Sequence, residues 1–255
     1  MRAKKSFGQH FLAQPATARQ IAESVDLTGV ARILEVGPGQ GMLTQFLLER
    51  EGVDVLAVEA DRDMVAHLHE RFPTWAPGHV VEADFLKVDL EALTRKQPTA
   101  LVGNFPYNIS SQILVRLVDH RELFPRMVGM FQRELAERVL APPGTKTYGA
   151  ISVLVQAFYA GSVVLHLKPG AFHPPPKVHS TVIALERLPP EQRPACDEAT
   201  FRRMVRTAFQ QRRKMLRNSL KQIWVGDLNP DDPRLQRRPE QLSVADFVEL
   251  VEMMG

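Results

Sequence analysis

The chain has 255 residues, 44% of them apolar and 24% charged. That suits one large α/β domain with a smaller second one, and excludes a disordered or fibrous protein. A single cysteine, Cys196, rules out an internal disulfide and a thiolate zinc site and points to a reducing, cytoplasmic setting; the net charge of +3 says little by itself about nucleic acid.

In chain order, the basic start Arg2, Lys4, Lys5 is followed by no apolar signal core. It reads as an arm that orders when a ligand binds. Seven short apolar runs come next: Ile33 to Val36, Val53 to Val58, His79 to Val81, Ala100 to Val102, Met127 to Met130, Val163 to Leu167 and Val178 to Leu185. Helix-period segments lie between them, such as Met42 to Arg50, Asp63 to Arg71 and Ser110 to Asp119. This alternation predicts an α/β fold with a doubly wound, mostly parallel seven-stranded sheet, the last two strands pairing antiparallel. The longest apolar stretch, Ile151 to Leu167, is interrupted by Gln156, Gly161, Ser162 and His166. It falls short of the roughly 20 residues a membrane span needs and reads as buried core.

Composition changes at Leu188-Pro189-Pro190-Glu191-Gln192-Arg193-Pro194, a linker pattern. Beyond it only helical patterns follow: a stripe of Phe201, Met204, Val205 and Ala208, and a final helix capped by Ser243 with Phe247, Val248, Leu250 and Val251 facing a core. The expected domains are therefore 1–187, binding cofactor and catalytic, and 188–255, small and all-helical. Between Arg202 and Lys221 stand eight basic residues and no acidic one, a one-signed field that attracts a phosphate backbone. A solvated helix face would look the same.

The first strand ends in Glu35-Val36-Gly37-Pro38-Gly39-Gln40-Gly41, a glycine turn that lets backbone approach a ligand. The next strand ends in Glu59, placed to accept from two ribose hydroxyls. Both NAD and S-adenosylmethionine fit so far. The G-x-G-x-G spacing and Ala83-Asp84-Phe85 favour S-adenosylmethionine, with Asp84 accepting from the adenine amino group and Phe85 supporting the ring. Taken alone, Asp84 also suits a helix cap.

The fourth strand delivers Asn104-Phe105-Pro106-Tyr107 to the carboxyl edge of the sheet. As a bare turn, Asn and Pro would set geometry and Tyr would cover the core. Chemistry offers more. An aromatic amino nitrogen is a poor nucleophile because its lone pair is delocalised. Two acceptors on its N–H bonds, the Asn104 side-chain oxygen and the Phe105 carbonyl, would localise that pair toward a methyl donor. Hydrogen bonds to a developing cation contribute roughly 1.5–3 kcal/mol each. Tyr107 would stack on a base flipped out of its helix.

With Lys5-Ser6-Phe7-Gly8-Gln9-His10-Phe11-Leu12, Gly103 to Ser110, Phe172-His173-Pro174-Pro175-Pro176-Lys177-Val178-His179-Ser180 and Arg212 to Leu220, the chain resembles the ribosomal RNA small-subunit adenine dimethyltransferases over nearly its whole length. The resemblance implies dimethylation at N6 of two adjacent adenines in the 3′-terminal hairpin of the small-subunit RNA, in a late assembly particle; nothing in the sequence suggests an obligate dimer, so a monomer is expected. His10, Leu12, Gly37, Glu59, Asp84 and Asn104 would then contact S-adenosyl-L-methionine. Asn104 and Tyr107 would hold the base, and Phe172 would stack on its other face. Two positions depart from the family pattern: His10 where Asn is common, and Phe105 where Leu is common. Lys177, Arg212, Arg213, Lys214 and Arg217 are the expected phosphate contacts, which position rather than specify. The histidines show no metal-ligand spacing, so no metal is expected. Three other readings remain: a large-subunit RNA methyltransferase of the antibiotic-resistance type, a non-catalytic assembly or transcription factor on the same fold, and, more distantly, a dehydrogenase.

Overall fold

A computed structural model describes residues 10–224, 229 and 231–254. The Arg2, Lys4 and Lys5 arm and Ser6 to Gln9 lie outside the described residues. The elements in order are β1 (Phe11–Leu12), α1 (Pro15–Glu23), β2 (Arg32–Val36), α2 (Thr44–Leu48), β3 (Asp54–Glu59), α3 (Arg62–Arg71), β4 (Val80–Glu82) and α4 (Leu90–Thr94). Then come β5 (Thr99–Asn104), α5 (Ser110–Asp119), β6 (Arg126–Gln132), α6 (Arg133–Leu140), α7 (Ala150–Gln156) and β7 (Tyr159–Leu167). The last are β8 (Phe172–His173), β9 (Ser180–Arg187), α8 (Glu198–Gln210), α9 (Leu216–Ser219) and α10 (Val244–Glu252).

Seven strands form one sheet in the order β4-β3-β2-β5-β6-β9-β7. β4, β3, β2, β5 and β6 run parallel, and β9 is antiparallel to β6. The mostly parallel seven-stranded α/β sheet is the expected one. β2 is buried at every position and β5 at all but its last, as strands covered on both faces must be, which is why their apolar residues run together rather than alternate, with Arg32 and Glu35 as buried exceptions in β2. Strand order reverses between β2 and β5, and their carboxyl ends open the crevice where such sheets bind ligands. A separate two-stranded sheet pairs Phe11 with His173 and Leu12 with Phe172.

The stretch Ile151 to Leu167 is not one buried segment. It is α7, mostly buried, followed by β7, the edge strand of the sheet, exposed from Ala160 to Val163. An edge strand has one neighbour, so apolar character alone does not bury it.

The chain forms two compact units: one runs to Ala136 and resumes at Gly161–Arg187, the other comprises Glu137–Ala160 and Leu188 onward. The second unit therefore holds more than the segment after the linker. Within it α8 buries Phe201, Met204, Val205 and Ala208. Tyr148, Phe209 and Phe247 form an aromatic ladder with centroids 6.2 Å apart at each step. The Gln156 amide donates to the carbonyls of Val139 and Ala141 at 2.8 and 2.9 Å, tying α7 to the end of α6. Ser243 caps α10 with Asp246 in a reciprocal box; Phe247, Leu250 and Val251 are buried, and Val248 is only half-buried. The basic segment is not one helix: α8 stops at Gln210 and α9 starts at Leu216. Among the described residues, no helix is long and apolar enough to cross a membrane.

Candidate active site

A cavity of about 330 Å³ lies at the carboxyl ends of β2, β3 and β5 and beside the turn after β4. Gly37, Gly39, Glu59, Asp84, Phe85 and all four residues Asn104 to Tyr107 line it, with His10 and Phe11 from the N-terminal segment. Its size is in the range of small-molecule sites.

Gly37 and Gly39 adopt φ of +67° and +54°, which L side chains avoid. A Cβ on Gly39 would sit 2.8 Å from the Phe11 ring. The turn is bare backbone because both space and torsion require it. The Glu59 carboxylate braces it, accepting from the Gly39 N–H at 3.0 Å and the Asp61 N–H at 2.9 Å. Burial pushes its pKa up, against the pull of those N–H donors. Asp84 accepts from the Leu86 N–H at 2.9 Å and so organises its own turn as well as lining the cavity. Its turn role and its cavity role coexist.

The tetrad is anchored side chain by side chain. Phe105 is 1% exposed, its ring 5.2 Å from that of Phe131. It lies where Gly103 and Gly129 leave room: a Cβ on Gly129 would come within 2.2 Å of it. The ring thus seats the turn on the sheet while its carbonyl stays with the turn, so Phe in place of Leu changes the anchor and not the acceptor. The Ser110 hydroxyl donates to the Pro106 carbonyl at 3.0 Å. The Asn104 Nδ2 donates to the His10 carbonyl at 2.7 Å. A carbonyl can only accept, so this bond fixes the amide orientation and turns Oδ1 away from His10. The Tyr107 ring stacks on His10, with centroids 5.6 Å apart, and its hydroxyl is 2.6 Å from that of Ser180. Burial raises the Tyr107 phenol pKa, and the Ser180 hydrogen bond lowers it by less. The His10 Nδ1 lies 2.8 Å from the Pro174 carbonyl.

Two expected site residues lie elsewhere. Leu12 and Phe172 are 5% and 4% exposed and belong to the hydrophobic core. They are direct cross-strand partners, so their side chains share one face, and that face is the core. A stacking role for Phe172 would require it to leave the core. The alternate face carries Phe11, a cavity residue that selecting positions 10 and 12 passes over. Two arginines also carry no sequence signal. Arg71 donates to the Gln40 carbonyl at 2.5 Å and to Gln45 Oε1 at 2.8 Å, bracing the glycine turn. Arg116 donates to the carbonyls of Leu86 and Val88 and lies 5.7 Å over the Phe85 ring, holding the wall that Asp84 begins. An arginine bonding to carbonyls belongs to no motif, so only the fold reveals it. Of the expected phosphate contacts, Lys177, Arg213, Lys214 and Arg217 are exposed. Arg212 is half-buried and donates to the Lys146 carbonyl at 2.5 Å. Among the described residues, no cluster of three metal-ligating side chains occurs.

The residues fit S-adenosylmethionine. The bare turn at Gly37 and Gly39 cradles backbone-close atoms, while Glu59 and Asp84 offer acceptors for ribose hydroxyls and an adenine amino group. When bound, this cofactor supplies an electrophilic methyl on a sulfonium. Solved structures with the same architecture include a dimethyladenosine transferase from Plasmodium falciparum, with TM-score 0.79 and 26% identity over 96% of this chain and 97% of that one. Another is the 23S rRNA methyltransferase ErmE, with TM-score 0.70 and 25% identity over 95% of this chain and 99% of that one. Fold and site together define a class I S-adenosylmethionine-dependent methyltransferase. The family model for ribosomal RNA adenine dimethylase matches residues 1–251, and the chain belongs to that family. A ribosomal RNA small subunit methyltransferase A from Bacteroides thetaiotaomicron is 44% identical over all of this chain and 94% of its own length.

Proposed function

We propose that the enzyme transfers methyl groups from S-adenosylmethionine to N6 of two adjacent adenines in the 3′-terminal hairpin of small-subunit ribosomal RNA, acting as a cytoplasmic monomer on a late assembly particle. The observation that carries this reading is the Asn104–His10 bond. By occupying Nδ2, it leaves Oδ1 to accept from one N–H of the target amine, with the Phe105 carbonyl accepting from the other. Both acceptors strengthen their bonds as positive charge develops on nitrogen. The methylated amino cation is strongly acidic, so no side-chain base is required. Tyr107 serves as the stacking platform for the flipped base. Residues 1–187 supply the catalytic site. Residues 188–255, folded together with Glu137–Ala160, supply RNA contacts through Arg213, Lys214 and Arg217, with Lys177 as a further phosphate contact. Specificity follows from the shape of the assembled RNA.

The likeness to ErmE favours a large-subunit target, but at 25% identity it weighs less than 44% identity to small-subunit enzymes over the full chain. The deciding experiment incubates the protein with labelled S-adenosylmethionine and small subunits lacking adenine methylation, then analyses the nucleosides. N6,N6-dimethyladenosine is expected in the small-subunit RNA. Its absence would refute the proposal, and label in large subunits offered in a parallel reaction, with none in small subunits, would assign the large-subunit target instead.

A further inference from the structure

Three of the four tetrad positions are held by contacts that fix the backbone or the amide. Tyr107 differs, because its work depends on where a ring at the end of two free torsions comes to rest. The backbone alone leaves that ring free to swing about χ1. Two groups restrain it: the His10 ring against its face, and the Ser180 hydroxyl 2.6 Å from its own. They are not equivalent. His10 adjoins the two-residue strand β1, whereas Ser180 opens β9, is fully buried, and pairs in register with Gln132 at the end of β6. Ser180 is therefore part of the rigid sheet, and the hydroxyl pair ties the tip of the ring to it.

We propose that Ser180 is a positioning residue for methyl transfer: its hydroxyl sets the depth and plane of the Tyr107 ring before the target base arrives. The role rests on the reading of Tyr107 as the stacking platform. Stacking depends steeply on ring offset and tilt, so a platform fixed in advance spares the base from ordering it. The pair also gives the fully buried Ser180 hydroxyl a partner. Simple satisfaction of a buried serine would account for the bond too, but it would leave methyl transfer unchanged when either hydroxyl is removed.

A double-mutant cycle separates these roles. Ser180→Ala, Tyr107→Phe, the double variant and Tyr107→Ala are assayed by single-turnover methyl transfer to small subunits lacking adenine methylation. S-adenosylmethionine affinity and thermal midpoint are measured in parallel. Each single variant at the hydroxyl pair should slow transfer about three- to tenfold, the worth of one hydrogen bond. Cofactor affinity should stay within about twofold, and the double variant should be no slower than the slower single. Multiplicative losses would overturn the proposal, because Ser180 would then act apart from the phenol; so would a Tyr107→Phe variant with the parental rate, which tests the bond even if Ser180→Ala misfolds. Tyr107→Ala tests the underlying reading separately. If it transfers at the parental rate, the platform and the role of Ser180 both fall; if it is severely slow while Ser180→Ala is unaffected, only the role of Ser180 falls.

Discussion

Glu35 stands two residues before Gly37, 1% exposed, and accepts from the Thr44 hydroxyl at 2.7 Å. Burial pushes its pKa up to about 8 from an ordinary 4.5; the Thr44 bond opposes this and the neighbouring Glu59 charge adds to it. The folded state holds this proton more tightly than the unfolded chain. Its contribution is therefore fully present below pH 4.5 and is lost as pH rises toward 8. Over that window stability should fall at up to roughly 1.4 kcal/mol per pH unit from this group. Glu35→Gln should flatten the decline between pH 5 and 7.5 in urea titrations, leaving a smaller slope from Glu59, whose shift has the same sign. An unchanged slope in the variant would show that Glu35 ionises freely. Asn104 provides a second prediction at this scale. Asn104→Ala removes one acceptor from the target amine and one donor to the His10 carbonyl. It should lower turnover about ten- to hundredfold while particle binding is retained. Parallel loss of binding would make the tetrad structural.

Among the elements, the turn after β5 is set by the strands beneath it. Gly129 lies beside Gly103 in the β5–β6 register, and the two leave the space that the Phe105 ring fills. A methyl group added at Gly129 meets that ring at 2.2 Å, and the ring is walled in by Phe131. Gly129→Ala should therefore cost about 1–3 kcal/mol of stability, as overpacked cores do, and should displace the tetrad. Pairing it with Phe105→Leu should recover part of the loss in thermal melts; a full, uncompensated loss in the double variant would place the clash elsewhere. The sequence could not foretell this contact, because no local pattern joins residues on different strands. Period and length did foretell α5, which spans Ser110–Asp119 as expected, and the parallel strands, whose burial on both faces leaves them mostly apolar without alternation, Arg32 and Glu35 being buried exceptions in β2. Local patterns failed where tertiary position decides. β7 is as apolar as the buried strands yet lies at the edge, with Val163 49% exposed. The helix expected over Met42 to Arg50 shrinks to Thr44–Leu48 because the glycine turn extends into it. Leu12 follows His10 and Phe11, which line the cavity, yet it and its partner Phe172 face the core, and motif membership does not say which residues face where.

For the whole molecule, the composition change at the linker marks where the second unit resumes but not where it begins. Glu137–Ala160 leaves the sheet through α6 and α7, joins the C-terminal helices, and returns as β7. No linker signal flags this excursion, because α6 continues directly from β6. The excursion bears on how RNA contacts are assigned. Charge alone groups Arg212 with its neighbours, yet its guanidinium bonds the carbonyls of Lys146 and Thr145, on the excursion, and lies 3.8 Å from Glu240. Arg213, Lys214 and Arg217 stay exposed across the break between α8 and α9. Charge content predicts four equivalent phosphate contacts; the fold separates one that holds the unit together from three that face outward. Neutralising Arg213, Lys214 and Arg217 together should reduce the slope of log affinity against log salt by about 0.7–0.9 for each phosphate no longer neutralised, with the thermal midpoint little changed, because exposed charges add little stability. Arg212→Ala should do the reverse: it lowers the thermal midpoint, since carbonyls it satisfied lose their donor, and leaves the salt slope near the parental value. Titrating RNA binding from roughly 50 to 300 mM salt, where the screening length shrinks about 2.5-fold, alongside melts of both variants separates the two. If the triple variant keeps the parental slope, the outward-facing charges do not meet the phosphate backbone, and the RNA is held by another surface.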